Sequence, residues 1–344
     1  MNFDLATCWH GLAYLHQCPT GSGQLKKQPE DFFVDEVMGF EPSGEGEHLW
    51  LQVRKRDANT ADVIKSLSGR LGVSPKVIGH SGLKDRWAVT QQWLSVQLPG
   101  QDAPDMLGEL SPGVEVIAQT RHHKKLRPGT HAANCFEIRL RELTQPEECV
   151  ERLENIIETG VPNYFGEQRF GREGKNLSLA QSLFAGKRIK SRNQKSMAIS
   201  SARSFLFNRV ASERVAQGLK PLDGESLMLS GSRSFFTAEQ IDGEISERLA
   251  NADVLLSAPL WGRGELPSIG SAGEIERASL VGCESLMEGL EGQGLKQERR
   301  PLILRPESLS WQVEGNEILL KFSLPTGSFA TAVVRELIQI QENT

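Results

Sequence analysis

Apolar and polar residues alternate through His-Leu-Trp-Leu-Gln-Val-Arg-Lys at 48–55, which predicts a half-buried strand. Asn59-Thr60 then supplies a helix cap. Val63, Ile64, Leu67 and Leu71 follow at helical spacing, and Gly72 ends the helix. Further strands are predicted at 92–98, 114–119 and 134–142, and helices near 145–159, 176–186, 198–217 and 271–290. Strands return at 309–313 and 316–323. A final helix, about 328–341, sets Ala330, Val333, Val334 and Leu337 on one face. Strands mixed irregularly with helices predict an α+β fold rather than a regular βαβ series. No GxGxxG opens a helix after a strand, which disfavours a dinucleotide fold.

The stretch Gly160-Val161-Pro162-Asn163-Tyr164-Phe165-Gly166 is punctuated by Pro and two Gly and reads as a boundary. Beyond it helices dominate until about residue 300, the pattern of a helical insertion inside a sheet domain. A length of 344 residues accommodates two domains. The net charge of −5 is unevenly spread. Residues 1–209 hold 27 Lys and Arg against 24 Asp and Glu, and residues 210–344 hold 12 against 20. A face that binds a polyanion is therefore expected in the first part. The five cysteines form no CxxC pair, which argues against a disulfide framework or zinc ribbon. Asp4 and His10 interrupt the apolar N-terminus, and Lys26 is the first basic residue, so no secretory leader is expected. No apolar run approaches the length of a membrane span. A cytoplasmic location is the expectation.

The segment Gly79-His-Ser-Gly-Leu-Lys-Asp-Arg-Trp-Ala-Val-Thr-Gln-Gln-Trp93 places Asp85 between two cations at a turn. Lys84 or Arg86 would hold it ionised if either reached it, and alternation along an extended chain lets at most one do so. An ionised carboxylate in a basic pocket suits a nucleophile or general base. The plain alternative is a solvated charged turn. Two acid-free basic stretches, Arg121–Arg127 and Ser182–Arg209, are candidates for phosphate contacts or ordinary solvated surface. The spacing of His122, His123 and His131 fits no common metal motif. Several aromatic residues lie beside amides or acids: Phe32 after Pro29-Glu30-Asp31, Phe136 after Asn134-Cys135, Tyr164-Phe165 after Asn163, and Phe329 after Gly327-Ser328. Such a ring can stack on a base while the polar neighbour reads its edge.

These segments together resemble the TruD family of tRNA pseudouridine synthases along nearly the whole chain. Gly82-Leu-Lys-Asp-Arg86 with Ala88-Val-Thr-Gln-Gln-Trp93 is similar to the family's catalytic motif. Lys26 with Pro29-Glu30-Asp31-Phe32 and Glu36 is similar to its N-terminal motif. Gly44-Glu-Gly-Glu-His48, Asn59-Thr60, Asn134-Cys-Phe136, Pro162–Gly166 with Gln168–Gly171, and Leu324–Ala330 follow in the family's order.

The resemblance implies isomerisation of uridine to pseudouridine at position 13 of the tRNA D stem-loop, with no metal or other cofactor. It implies a catalytic domain with a mixed or antiparallel sheet flanked by helices, residues 1–159 plus 305–344, interrupted by a helix-rich insertion at 160–304. By resemblance Asp85 is the catalytic carboxylate, attacking C1′ or abstracting a sugar proton. Phe136 stacks on the flipped uracil, and Asn134 bonds base or ribose. Phe32 and Phe329 line the site. Lys26 and Glu36 form a pocket ion pair or a structural salt bridge. Of Lys84 and Arg86, one tunes Asp85 while the other faces RNA. A monomer with no obligate protein partner and no membrane contact is expected. A carboxylate-dependent hydrolase acting on RNA or nucleosides, using Asp85 with Glu36 or Glu47, and a non-catalytic RNA-binding module are the alternative classes.

Overall fold

The computed structural model describes residues 6–341, so Asp4 lies outside the described residues. The chain forms two compact units, each with its own core. One comprises Pro19–Ile157, Pro306–Gly327 and Leu337–Thr344; the other comprises Met1–Cys18, Glu158–Arg305 and Ser328–Glu336. Helices and sheets occur in both, and the fold is α+β. Among the described residues, no helix is long and apolar enough to cross a membrane.

The first unit is built on an eleven-stranded sheet. Its main path runs Glu307–Glu314, Glu317–Pro325, Ala133–Arg141, Phe32–Val37, Val89–Gln97, His48–Arg56, Val114–His122, Gly108–Ser111. Pairing along this path is antiparallel except between Phe32–Val37 and Val89–Gln97, which run parallel at its centre. The helix Thr60–Leu71 covers one end of one face. Its Val63 and Leu67 join Leu49, Leu51, Val53, Leu94 and Val96 in a closed apolar cluster. Burying each such side chain contributes roughly 1.5–3 kcal/mol. Gly72 ends the helix in the left-handed conformation (φ 65°), as its place after the last apolar residue predicts. Asn59 occupies the cap position, but its side chain makes no cap hydrogen bond. It donates to Asp62 instead.

The second unit centres on the 25-residue helix Arg192–Ala216, which starts at Ser191, whose hydroxyl accepts from Gln194 N–H. Phe205, Leu206, Phe207 and Val210 along it are fully buried. Helices dominate the stretch after residue 160, as expected, and it also holds a four-stranded antiparallel sheet in the order Phe235–Ala238, Glu225–Leu229, Val254–Leu260, Glu298–Pro301. These strands are short and bury Glu225, Ser226, Ser257 and Arg299, so no apolar alternation announces them. Arg299 is held by Glu276 at 2.5 Å with both side chains fully buried. The helix expected at 271–290 is two helices, Gly270–Ser279 and Glu284–Gly292, broken where Gly282 takes φ 82°.

The expected last helix is also shorter. It spans Ala330–Leu337, and Gln339–Gln341 then form a strand parallel to Ser22–Leu25 in the sheet unit. Gly160 takes φ 74°, and a Cβ there would lie 2.6 Å from the Leu304 carbonyl oxygen, so the turn needs glycine for both reasons.

Candidate active site

Strand alternation places Lys55 on the same face as Leu49, Leu51 and Val53. The register extends that face sideways. Lys55 lies beside Thr90 and Val53 beside Gln92. Val34 lies beside Thr90 on one side and Phe136 on the other, and Glu36 is paired with Asn134. Past the end of the helix-covered core, the same face therefore carries Lys55, Thr90, Gln92, Glu36 and Asn134. A polar floor on a core face is costly unless its groups are paired.

The 81–86 segment supplies pairs for most of them, while the buried Thr90 Oγ1 has no hydrogen-bond partner among the described residues. Gln92 Nε2 donates to the Gly82 carbonyl at 3.2 Å, and Thr60 Oγ1 donates to Gln92 Oε1 at 3.0 Å. The Lys84 N–H donates to Thr60 Oγ1 at 3.2 Å. Lys84 Nζ reaches down to Glu36 Oε2 at 2.9 Å and donates to Asn134 Oδ1 at 2.6 Å. Glu36 Oε1 accepts from the Trp93 N–H at 3.2 Å. Thr60 thus serves the site rather than only opening its helix.

Asp85 is left at the rim of this arrangement. Its Oδ2 accepts from Lys26 Nζ at 2.5 Å, and its carbonyl accepts from Lys55 Nζ at 2.5 Å. Lys26 Nζ also lies over the Phe32 ring, 3.9 Å from its centroid. Trp87 Nε1 donates to the Lys26 carbonyl at 2.9 Å, tying the two segments together. The Asp85 side chain is 35% exposed, whereas that of Glu36 is fully buried against Lys84. Of the two acids, Asp85 is the one a substrate can reach.

The partners differ from those expected. Neither flanking cation touches the Asp85 carboxylate: Lys84 is committed to Glu36 and Asn134, and Arg86 pairs with Asp57 at 3.1 Å. A cation distant in sequence, Lys26, takes their place. Lys26 and Glu36 are likewise not an ion pair with each other; each holds one member of the Lys84-Asp85 dipeptide.

Phe136 is 8% exposed, stacked on Phe322 at 5.4 Å and edge-on to Phe32 at 6.0 Å. Phe329 belongs to the other unit, where its ring lies 5.7 Å from that of Phe165 and 5.3 Å from the Arg169 guanidinium.

Lys55 was not anticipated, although a cation at an inward position of an alternating strand is a signal in itself. It is fully buried. Burial pushes its pKa from 10.5 down to about 8, against the opposing pull of Asp85. His131 was singled out only as a histidine. Its Nε2 lies 3.3 Å from Asn134 Nδ2, and burial, with Lys84 adding to it, lowers its pKa. Among the described residues, no cluster of three or more His, Cys, Asp or Glu is placed to hold a metal ion.

The second basic stretch divides in two. Lys187, Arg188, Lys190 and Arg192 are exposed. Arg203 instead donates to the Leu260, Trp261 and Lys296 carbonyls and pairs with Glu298. Arg209 donates to the Ser279 carbonyl. Those two are internal struts of their unit.

Fold and site together define an α+β protein with a reachable carboxylate held by lysines above a polar and aromatic sheet face. The model of the family "tRNA pseudouridine synthase D (TruD)" matches residues 11–189 and 180–337. The tRNA pseudouridine synthase D of Aeromonas hydrophila is 50% identical over 333 residues, covering 96% of this chain and 95% of that protein. Its counterpart in Shewanella oneidensis is 43% identical over 332 residues, covering 96% and 90%. A crystal structure of a putative tRNA pseudouridine synthase D from Methanosarcina mazei shares the fold, with a TM-score of 0.72 at 22% identity over 96% of both chains. The chain belongs to the tRNA pseudouridine synthase D family.

Proposed function

We propose that the protein isomerises uridine to pseudouridine in tRNA, at position 13 of the D stem-loop, with Asp85 as the catalytic carboxylate. The observation that carries this reading is the placement of Asp85: an acid at the rim, its side chain 35% exposed, with Lys26 on its carboxylate and Lys55 on its carbonyl. The family relationship supports the reaction class, and the resemblance supports the position on the tRNA.

The reaction breaks N1–C1′, turns the uracil and forms C5–C1′; the C5 proton then leaves and N1 is protonated. The reacting atoms lie inside folded RNA, so the nucleotide is flipped out at a cost of a few kcal/mol. Phosphate contacts by exposed Lys and Arg offset that cost. Asp85 acts as a carboxylate, attacking C1′ or taking a sugar proton, and the Lys26 ammonium lies 2.5 Å from its Oδ2. Asn134, fixed by Lys84, offers its amide to base or ribose. Phe32 and Phe136 form the apolar ground beneath the uracil. The unit with the eleven-stranded sheet and Asp85 is the catalytic domain in this proposal, and the unit around Arg192–Ala216 is the insertion.

The test is pseudouridine mapping on a tRNA transcript with uridine at position 13, in the presence of chelator. Wild type should modify that one position. Asp85→Asn should bind the tRNA and leave it unmodified, by at least about a hundredfold in rate. Release of free uracil would make the protein a hydrolase instead. Turnover by Asp85→Asn at the wild-type rate would remove the aspartate from the chemistry.

A further inference from the structure

His48 and Trp50 alternate with Leu49 and Leu51, so they point to the face opposite the one carrying Lys55 and Glu36. On that reverse face a cleft of about 580 Å3 opens between Phe40, His48, Trp50, His122, Lys124 and Arg127. Its lining contains no acid. The aromatic wall is built in place. His122 lies 4.4 Å from Trp50 and 5.7 Å from Phe40, ring centre to ring centre. The Ser43 N–H donates to His122 Nδ1 at 3.1 Å, and Trp50 Nε1 donates to the Lys124 carbonyl at 3.0 Å. Burial, with His123 and Lys124 adding to it, lowers the His122 pKa, which keeps the ring neutral.

The loop that creates this wall explains a motif the catalytic site does not use. In Gly44-Glu-Gly-Glu-His48, Gly46 takes φ 118°, and a Cβ there would lie 2.6 Å from the carbonyl carbon and oxygen of His122. Only glycine lets this loop close on the histidine. Phe40 meanwhile stays 43% exposed beside it. Glu45 stands at the edge of the cleft, 3.6 Å from His123. An exposed ring, a fixed ring cluster and the cations Lys124 and Arg127 at one place are suited to a base with its phosphate. Lys124 and Arg127 lie exposed on the 121–131 segment, whose far end, His131, meets Asn134 in the candidate active site.

We infer that this cleft binds a second, unpaired nucleotide of the RNA substrate, its base stacked on Phe40 and its phosphate held by Lys124 and Arg127. The inference rests on the tRNA reading above. The bound nucleotide is not the reacting uridine, because the cleft and Asp85 belong to opposite faces of the sheet. Its role is to fix the register of the RNA while the target base is flipped.

The experiment compares wild type with Phe40→Ala, Phe40→Trp and the double variant Lys124→Ala/Arg127→Ala, none of which touches the candidate active site. tRNA binding is measured by filter retention, and modification at saturating and limiting tRNA. Phe40→Ala should weaken binding between about five- and 150-fold, the loss of one stacked base. It should raise KM and leave kcat within twofold, and Phe40→Trp should restore binding. The double variant should raise KM and flatten the salt dependence of binding. Weakening by the cation variant alone, with Phe40→Ala unchanged, would overturn the nucleotide site in favour of a diffuse basic surface. If wild type modifies tRNA and every variant matches it, the cleft proposal falls and the activity stands. If wild type modifies no tRNA but Phe40→Ala still loses RNA affinity and Phe40→Trp regains it, the cleft stands and the activity falls.

Discussion

Lys26 Nζ lies 2.5 Å from Asp85 Oδ2, and the backbone of Lys26 is left-handed, with φ 58°. A non-glycine residue held there costs about 1 kcal/mol or more, which the surrounding contacts must offset. Backbone strain is therefore spent on aiming a cation at the more exposed of the two site acids, Asp85 and Glu36. Lys26→Ala should lower kcat roughly ten- to hundredfold, the worth of a hydrogen bond to a charged group. Lys26→Gly should be as inactive, yet its urea unfolding midpoint should exceed that of Lys26→Ala, because glycine relaxes the strain. Equal midpoints would show that the conformation is not strained.

The Glu36–Lys84 pair calls for a double-mutant cycle. Both side chains are at least nine-tenths buried. Glu36→Gln strands the Lys84 charge and should destabilise the fold by about 3–5 kcal/mol. Lys84→Met alone strands Glu36 at a similar cost. The double variant should recover most of that loss while staying inactive, since Asn134 and the loop before Asp85 lose their anchor. Additive single effects in urea unfolding would show the pair to be uncoupled.

Lys55 gives stability a pH dependence of known sign. Below about pH 8 the amine is charged in both folded and unfolded chains, and the buried charge opposes folding. Between about 8 and 10.5 the folded chain has released the proton while the unfolded chain still holds it. The contribution of Lys55 therefore becomes more favourable as pH rises through that window. The unfolding free energy of wild type minus that of Lys55→Met should climb by up to about 3 kcal/mol between pH 7.5 and 10.5. A flat difference curve would mean that Lys55 titrates normally.

Salt titration separates the two kinds of basic residue after residue 182. Replacing exposed Lys187, Arg188, Lys190 and Arg192 with Gln should reduce the slope of log affinity against log salt by up to about 3–4, with unfolding unchanged. Arg203→Gln should instead destabilise its unit, because its guanidinium holds three carbonyls and Glu298. An unchanged salt slope in the fourfold variant would clear that stretch of any role in phosphate contact.

Long periodic segments were legible in the sequence. The strand from His48, the helix from Thr60 and the strands around 92–98 and 134–142 all announce themselves by spacing. Asp85 does not: its setting also fits a solvated charged turn, and only the family resemblance singles it out. What alternation cannot show is which side of the sheet a residue meets from another segment. Lys84 and Arg86 look like the partners of Asp85 because they adjoin it in sequence, yet Glu36 and Asn134 hold the one and Asp57 the other. Lys26 and Lys55 reach Asp85 only through the sheet register. The short strand Glu225–Leu229 was invisible for a related reason. Its inward residues include a glutamate that Arg214 neutralises at 2.5 Å, and no local pattern encodes that partner.

The strand order also has a temporal consequence. Ala133–Arg141 is flanked on one side by Phe32–Val37, made before it, and on the other by Glu317–Pro325, made long after. Until the ribosome reaches that second neighbour, the strand presents an open edge, the feature through which nascent chains mispair. At typical elongation rates that exposure lasts roughly 10–40 s.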